Sequence, residues 1–299
     1  MLAGKKNVLV TGGTGFLGSR IVQHLVHKNY KILLLKRKTS DFSSLHKVLD
    51  NISMYNIDCG KDEVSRVFQE NQIHAILHCA TSYGRGSETI CQVLETNLIF
   101  PLFLLEQAKN FNVQIFINTD TVLDRKISLY AHSKKTFTEW FKEFSNHLTC
   151  VNVVLDHFYG FGDDSSKFVT KLIHQSLRRV EAISLTPGEQ KRDFIHIEDV
   201  VLAFDRVIES ALAMKAGFTQ FEVGSCKPVK IRDFVELVKK MTHNTVTRFE
   251  FGGLPYRDHE IMESKLDASL LSQLGWRPRV SLEEGLRKTI ESERLSLKL

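Results

Sequence analysis

Residues 7–11, Asn-Val-Leu-Val-Thr, form a near-continuous apolar run that stops at two glycines, and from Phe16 to Lys28 the apolar spacing turns helical. The same alternation recurs through the first half of the chain. Strand-like runs fall at 31–36, near 53–57, at 74–80, at 113–119 and at 150–156. Helical stretches fall between them: near 42–50, at 61–70 with Val64, Val67 and Phe68 on one face, across 88–110, and from Tyr130 to Phe144. Phe137, Trp140, Phe141 and Phe144 form the apolar stripe of the last of these. Strands apolar on both faces, joined through helices, satisfy their backbones as a parallel sheet with right-handed crossovers. The fold class that follows is α/β, a doubly wound parallel sheet.

Beyond residue 160 the pieces shorten: a helix at 165–179, a strand near 183–186, a helix at 197–213, and a last section holding most of the prolines. This predicts a Rossmann-type domain over 1–160 and a smaller mixed α/β lobe over 161–299, with some exchange of chain between the two. The lobes are expected to share an interface, where small-molecule sites commonly lie.

Composition narrows the partners. The chain has 299 residues, 42% hydrophobic and 25% charged, enough to bury a full core. Its longest apolar run, Leu98 to Leu105, is interrupted by Pro101 and falls well short of the roughly 18 residues a membrane span needs. Met1-Leu2-Ala3-Gly4-Lys5-Lys6 runs directly into the first strand without room for a signal peptide, so a cytoplasmic protein is expected. The net charge of +5 is dispersed apart from Lys36-Arg37-Lys38 and Arg178-Arg179, and neither cluster is interleaved with aromatics. That argues for an anionic small molecule over nucleic acid. Five cysteines (Cys59, Cys79, Cys91, Cys150, Cys226) without a CxxC pair, and twelve histidines without an HExxH, predict neither a disulfide framework nor a metal site. Cys79 and Cys150 read as small core residues.

Thr11-Gly12-Gly13-Thr14-Gly15-Phe16-Leu17-Gly18 sits between the first strand and the first helix. Gly12 suits the sharp turn, Gly15 lets the backbone approach a pyrophosphate, and Gly18 lets the helix pack tightly on the sheet. Backbone N–H groups from Thr14 through Leu17 then face the anion at a helix N-terminus. The second strand ends Lys36-Arg37-Lys38, where NAD-binding chains carry an acid for the ribose hydroxyl. Lys36 and Arg37 neutralise a 2′-phosphate, which favours NADP(H) over NAD(H). Asp58, after the third strand, is placed to accept from the adenine amino group.

Tyr130-Ala131-His132-Ser133-Lys134 puts a phenol and an ammonium on one helical face. The cation is expected to lower the tyrosine pKa and make Tyr130 a general acid or base. Thr119, at the end of the fifth strand, can hydrogen-bond a substrate carbonyl oxygen.

TGGTGFLG, HCAT at 78–81, YAHSK and RDFIHIEDV at 192–200 together resemble the extended short-chain dehydrogenase/reductase family that acts on nucleotide sugars, and LGW at 274–276 with SLEEGL at 281–286 resembles its C-terminal ending. The resemblance covers essentially the whole chain. It implies a Thr119–Tyr130–Lys134 triad, cofactor contacts at Cys79, Ala80 and Thr81, and pyrophosphate contacts from Arg192 and Arg257. Family dehydratases carry Thr-Asp-Glu where this chain has Thr119-Asp120-Thr121, so the elimination base is missing and a 4-ketoreductase is implied. HCATSYGR and NTDTVLDRK most resemble reductases of a CDP-activated 4-dehydro-3,6-dideoxysugar used in O-antigen lipopolysaccharide. The alternatives are a C4 epimerase that retains NAD and a reductase of a dTDP-4-keto-6-deoxy sugar. On this resemblance Ser82, Tyr83, Arg85, Asp120, Thr121, His157, Phe158, Lys167 and Phe168 border the substrate or nicotinamide, with Asp120 holding a sugar hydroxyl or relaying a proton. A homodimer through helices 88–110 and 130–147 is the expected assembly.

Overall fold

The computed structural model describes residues 5–299, Cys59 without its side chain. Residues 1–4, which begin the stretch weighed for a signal peptide, lie outside the described residues. The chain runs β1 (Asn7–Thr11), α1 (Phe16–His27), β2 (Lys31–Lys36), β3 (Ile52–Asn56), α2 (Lys61–Glu70), β4 (Ala75–His78), α3 (Ile90–Leu94), α4 (Phe100–Asn110), β5 (Ile115–Thr121), α5 (Leu129–Glu143) and β6 (Thr149–Leu155). There follow β7 (His157–Tyr159), α6 (Phe168–Leu177), β8 (Ala182–Leu185), β9 (Lys191–Arg192), β10 (Phe194–His196), α7 (Ile197–Ala211) and β11 (Gly217–Val223). The remainder is β12 (Val229–Lys230), α8 (Ile231–Met241), β13 (Arg248–Phe251), α9 (Ser269–Gln273) and α10 (Leu282–Ser296).

Seven strands form one sheet in the order β11-β6-β5-β4-β1-β2-β3. β1 pairs in parallel with both β2 and β4, so the order reverses between β1 and β4, the Rossmann arrangement in which ligands lie beyond the strand ends at the reversal. Two compact units are present, one taking in the chain to Val154 and Phe204–Phe221, the other Leu155–Ala203 and Glu222–Leu299. One core of the first unit joins Leu9, Leu33 and Ile76 of the sheet to Leu104, Phe137 and Phe141 of the helices.

Three expected elements differ. The stretch near 42–50 is no helix but two single 3₁₀ turns, Ser43–Leu45 and Leu49–Asn51, because the Asp41 carboxylate takes both the N–H and the hydroxyl of Ser43 and opens a tight turn. The expected helix over 88–110 is split by a π-helical turn at Glu95–Ile99. Pro101 has no N–H to give to the Asn97 carbonyl, and the widened turn swings the Asn97 side chain inward. In α5, Phe137 and Phe141 are fully buried but Trp140 is 53% exposed. The stripe is centred on Lys134 and Thr138, both buried, so Trp140 falls on its flank.

The second unit carries three two-stranded sheets, β7 with β10, β9 with β12, and β8 with β13. Its core packs Ile183, Phe194, Phe234, Leu286 and Ile290. The run at 192–200 organises it. Asp193 accepts from the Ser225 N–H and hydroxyl and from the Cys226 N–H at 2.6–2.8 Å. Asp199 accepts from the N–H groups of Arg279 and Val280 at 3.0 and 2.9 Å, and its carbonyl takes the Trp276 indole N–H. Asp199→Ala leaves those two half-buried backbone donors without their acceptor, so about 2 kcal/mol of stability should be lost in urea unfolding. A loss below about 1 kcal/mol would mean that water replaces the carboxylate.

Candidate active site

The glycine turn closes against the end of β4. Gly12 has φ +66°, and a Cβ there would sit 2.5 Å from the Ala80 nitrogen, so both the turn and the close approach require glycine. Thr11 fastens the two strand ends: its hydroxyl accepts the Ala80 N–H at 3.2 Å and meets His78 Nδ1 at 2.8 Å, while its carbonyl accepts the Cys79 N–H. Gly18 packs on the Gly12 carbonyl, so what it fits is the turn itself and not the sheet as expected. Gly15 caps α1 with no side chain on the first N–H groups, and a Cβ there would have only the Gly12 carbonyl within reach, at 3.4 Å. That side of the turn is open. Thr14 is half-buried, Phe16 carries the Arg20 guanidinium over its ring, and the Leu17 side chain is buried.

At the end of β2, Arg37 and Lys38 are exposed and Lys36 lies half-buried over Phe42. Asp58 accepts the Lys38 N–H at 2.5 Å, which holds its carboxylate beside this basic strand end.

Asn97, delivered by the π turn, ties the loop after β4 to α5. It accepts from the Ser82 N–H and the Thr81 hydroxyl and donates to the Ser82 carbonyl and to Ser133 Oγ, all within 3.2 Å. Ser133 in turn donates to the Tyr130 carbonyl. Ser82, expected on the sugar side, spends its backbone on Asn97 and its hydroxyl on Glu88. Tyr83 lies against the Tyr130 ring with centroids 4.8 Å apart, and the Arg85 guanidinium stands 4.9 Å over Tyr83.

Tyr130 differs from expectation in its acidity. Burial raises its pKa above the ordinary tyrosine value, the charges of Tyr83 and Asp120 add to the rise, and a hydrogen bond with the Thr121 hydroxyl and the Arg85 cation oppose it. Lys134 does not supply the expected lowering: the residue is 1% exposed and its ammonium reaches Asn118 Oδ1 at 3.5 Å. Burial lowers the Lys134 pKa to about 8, although Asp120 pulls it upward. Tyr130 is therefore a protonated phenol at neutral pH. Thr119, two residues before Thr121 on the same face of β5, donates its hydroxyl to the His78 carbonyl at 3.1 Å.

Asp120 also differs from expectation. Its side chain leaves on the opposite face of β5 and is saturated by Lys135 at 3.1 Å, Thr138 at 3.1 Å, Asn152 at 3.0 Å and the Thr121 N–H at 2.7 Å. Burial opposes its ionisation, but Lys135, Lys134 and these hydrogen bonds prevail and hold the carboxyl below its usual range. A carboxylate held by four donors and 3% exposed is not presented to a sugar hydroxyl.

A sequence profile described as the NAD dependent epimerase/dehydratase family matches residues 8–224. The chain belongs to this family. Two epimerase/dehydratase relatives are CDP-abequose synthases: that of Salmonella muenchen is 31% identical, covering 97% of this chain and 99% of its own, and that of Salmonella typhimurium is 30% identical, covering 96% and 98%. The crystal structure of UDP-glucose 4-epimerase from Thermotoga maritima, with UDP-glucose, superposes with a TM-score of 0.83 at 25% identity, covering 97% of this chain and 99% of the epimerase.

In the second unit of this epimerase/dehydratase chain, the expected substrate residues sit in separate settings. His157 donates from Nδ1 to Asp156 at 2.5 Å and stands edge-on to Phe194. Lys167 pairs with Asp163 at 2.8 Å and lies over Phe158. Arg192, expected to be an open clamp, is 8% exposed, and its guanidinium is taken by the Glu260 carboxylate and by the carbonyls of Lys191 and Ile261. Arg257 is exposed.

Asn97, Asn118, Asn152 and Asp156 escaped the sequence reading. Each is a polar residue inside or at the end of an apolar run, and that was the available signal. The pKa direction of Tyr130 is checked by absorbance titration of the phenols: the component lost in Tyr130→Phe should ionise above pH 10, and a component below that value would refute it.

Proposed function

We propose that the protein is an NADPH-dependent 4-ketoreductase of a nucleotide-activated deoxysugar, reducing CDP-4-dehydro-3,6-dideoxy-D-glucose to CDP-abequose. The observation that carries this reading is the end of β5: Thr119 and Thr121 share the face on which Thr121 meets Tyr130, while Asp120, the one carboxylate of the run, is withdrawn and saturated. A protonated phenol beside a strand end whose one carboxylate is withdrawn suits ketone reduction, which needs a hydride and one proton, better than elimination of water. Two relatives that match almost end to end and bear the name CDP-abequose synthase support the substrate.

The residues fit a dinucleotide. The open side of Gly15 and the uncapped start of α1 suit a pyrophosphate, and the Gly12–Ala80 approach leaves no room for any larger residue there. Lys36, Arg37 and Asp58 would hold the adenosine end, with Arg37 free to take a 2′-phosphate through its fork. Cys79, Ala80 and Thr81 would border the nicotinamide end. When bound, the cofactor supplies the hydride. Tyr130 donates its phenolic proton to the C4 oxygen, with Thr121 orienting the phenol and Thr119 available to the same oxygen in exchange for the His78 carbonyl. Lys134, as an ammonium one turn along α5, would hold the nicotinamide ribose.

The test is loss of NADPH absorbance with CDP-4-dehydro-3,6-dideoxy-D-glucose, run beside NADH and beside a dTDP-4-keto-6-deoxy sugar. Rapid loss with the CDP sugar is expected. NAD co-purifying with the protein, and no loss with either sugar, would replace the reductase by an epimerase. Tyr130→Phe should lower kcat about a hundredfold or more with NADPH affinity retained. Lys134 acts in its charged form, so activity should fall as pH rises through about 8. Arg37→Asp should raise the KM for NADPH roughly tenfold or more and leave that for NADH nearly unchanged.

A further inference from the structure

A fully buried ammonium needs an anion or it loses its proton. The groups around Lys134 offer few candidates. From the end of β4 it faces His78 and Cys79. From its own helix it has Tyr130 one turn back and Lys135 beside it, and from β5 it faces Asn118 and Asp120. His78 is buried among Phe100, Phe116 and Phe137, where burial and the neighbouring Lys134 keep it neutral. Burial pushes the Cys79 thiol up to about 12, and the Tyr130 phenol is protonated. Lys135 is a second cation. Asp120 is the single anion in this set.

The connection between the two charges is structural. Lys134 Nζ donates to Asn118 Oδ1, Asn118 Nδ2 donates to Asn152 Oδ1 at 2.7 Å, and Asn152 Nδ2 donates to Asp120 Oδ2 at 3.0 Å. The two amides are oriented in series, each presenting its oxygen toward the ammonium side and its N–H toward the carboxylate side, so both dipoles favour that charge separation. Asn118 and Asn152 are fully buried, and Gln220 accepts the remaining Asn152 N–H at 3.3 Å. Lys135 competes: it pairs directly with Asp120 and donates to the Thr121 carbonyl.

We infer that Asp120 is the counter-ion of Lys134, a positioning residue that keeps the active-site ammonium charged through the buried Asn118–Asn152 bridge and is set against it by Lys135. The inference rests on the reading of Lys134 as an active-site ammonium beside the proton donor Tyr130 and deepens it. It also requires the two neighbours of Lys134 to act in opposite senses. Removing the Asp120 charge weakens the ammonium; removing the Lys135 charge strengthens it, both by lifting a repulsion and by releasing Asp120.

The experiment is an NMR titration of the full chain labelled at lysine 13Cε and 15Nζ, with the Lys134 signal assigned by its loss in Lys134→Arg. Asp120→Asn should move the Lys134 midpoint down by about one pH unit or more, and Lys135→Met should move it up. The alkaline limb of kcat/KM for NADPH oxidation should follow in the same two directions. A midpoint unmoved by Asp120→Asn, or two variants moving it the same way, overturns the inference, since general loosening of the fold has one sign. If Asp120→Asn does not fold, Lys135→Met decides alone: a rise supports the inference and no change overturns it. The NMR midpoints do not depend on the sugar. Opposed shifts in a protein that reduces none of the sugars would keep the counter-ion and refute the reductase.

Discussion

Two strand ends meet where the order of the sheet reverses, and the rest of the first unit is arranged around that meeting. Thr11 holds the backbone after β4 with its hydroxyl and its carbonyl, and Gly12 lies so close to Ala80 that no Cβ fits. The strand register carries Thr11 opposite His78, which places the glycine turn and the loop after β4 side by side. Every group proposed to touch the dinucleotide hangs from one of these two segments, from the neighbouring end of β2, from the turn after β3, or from α5.

Around that point the interior is polar in a way hydropathy does not anticipate. Lys134, Asn118, Asn152, Asp120 and Thr138 are buried together between β5, β6 and α5, and Asn97 is buried beside them through a break in its own helix. Such groups persist in a core because each finds a partner, and a satisfied network fixes its members in one geometry. A catalytic ammonium needs that fixity. It is also why Asp120, which stands between two threonines and looks in the sequence like part of the substrate site, belongs to the support beneath it.

In the second unit the run at 192–200 divides its labour. Asp193 and Asp199 hold distant backbone turns, and His196 stands edge-on to Tyr159. Its resemblance to a sugar-nucleotide family thus comes largely from residues that build the lobe. Arg192 of the same run is held by Glu260, so a bound anion would have to compete with a carboxylate for the guanidinium.

The sequence by itself determined the alternation of strands and helices, the glycine turn and the one-turn spacing of Tyr130 and Lys134. Each depends on periodicity or on the steric needs of neighbouring residues, both of which are local. It could not show that Pro101 opens a π turn for Asn97, that 42–50 forms separate turns, or that Trp140 lies outside the buried stripe. Those outcomes depend on which polar groups find partners across the sheet. The acidity of Tyr130 and the direction of Asp120 were likewise decided only by the tertiary structure. Desolvation is set by what surrounds a group in three dimensions, and here burial outweighs the local charge that spacing alone would credit.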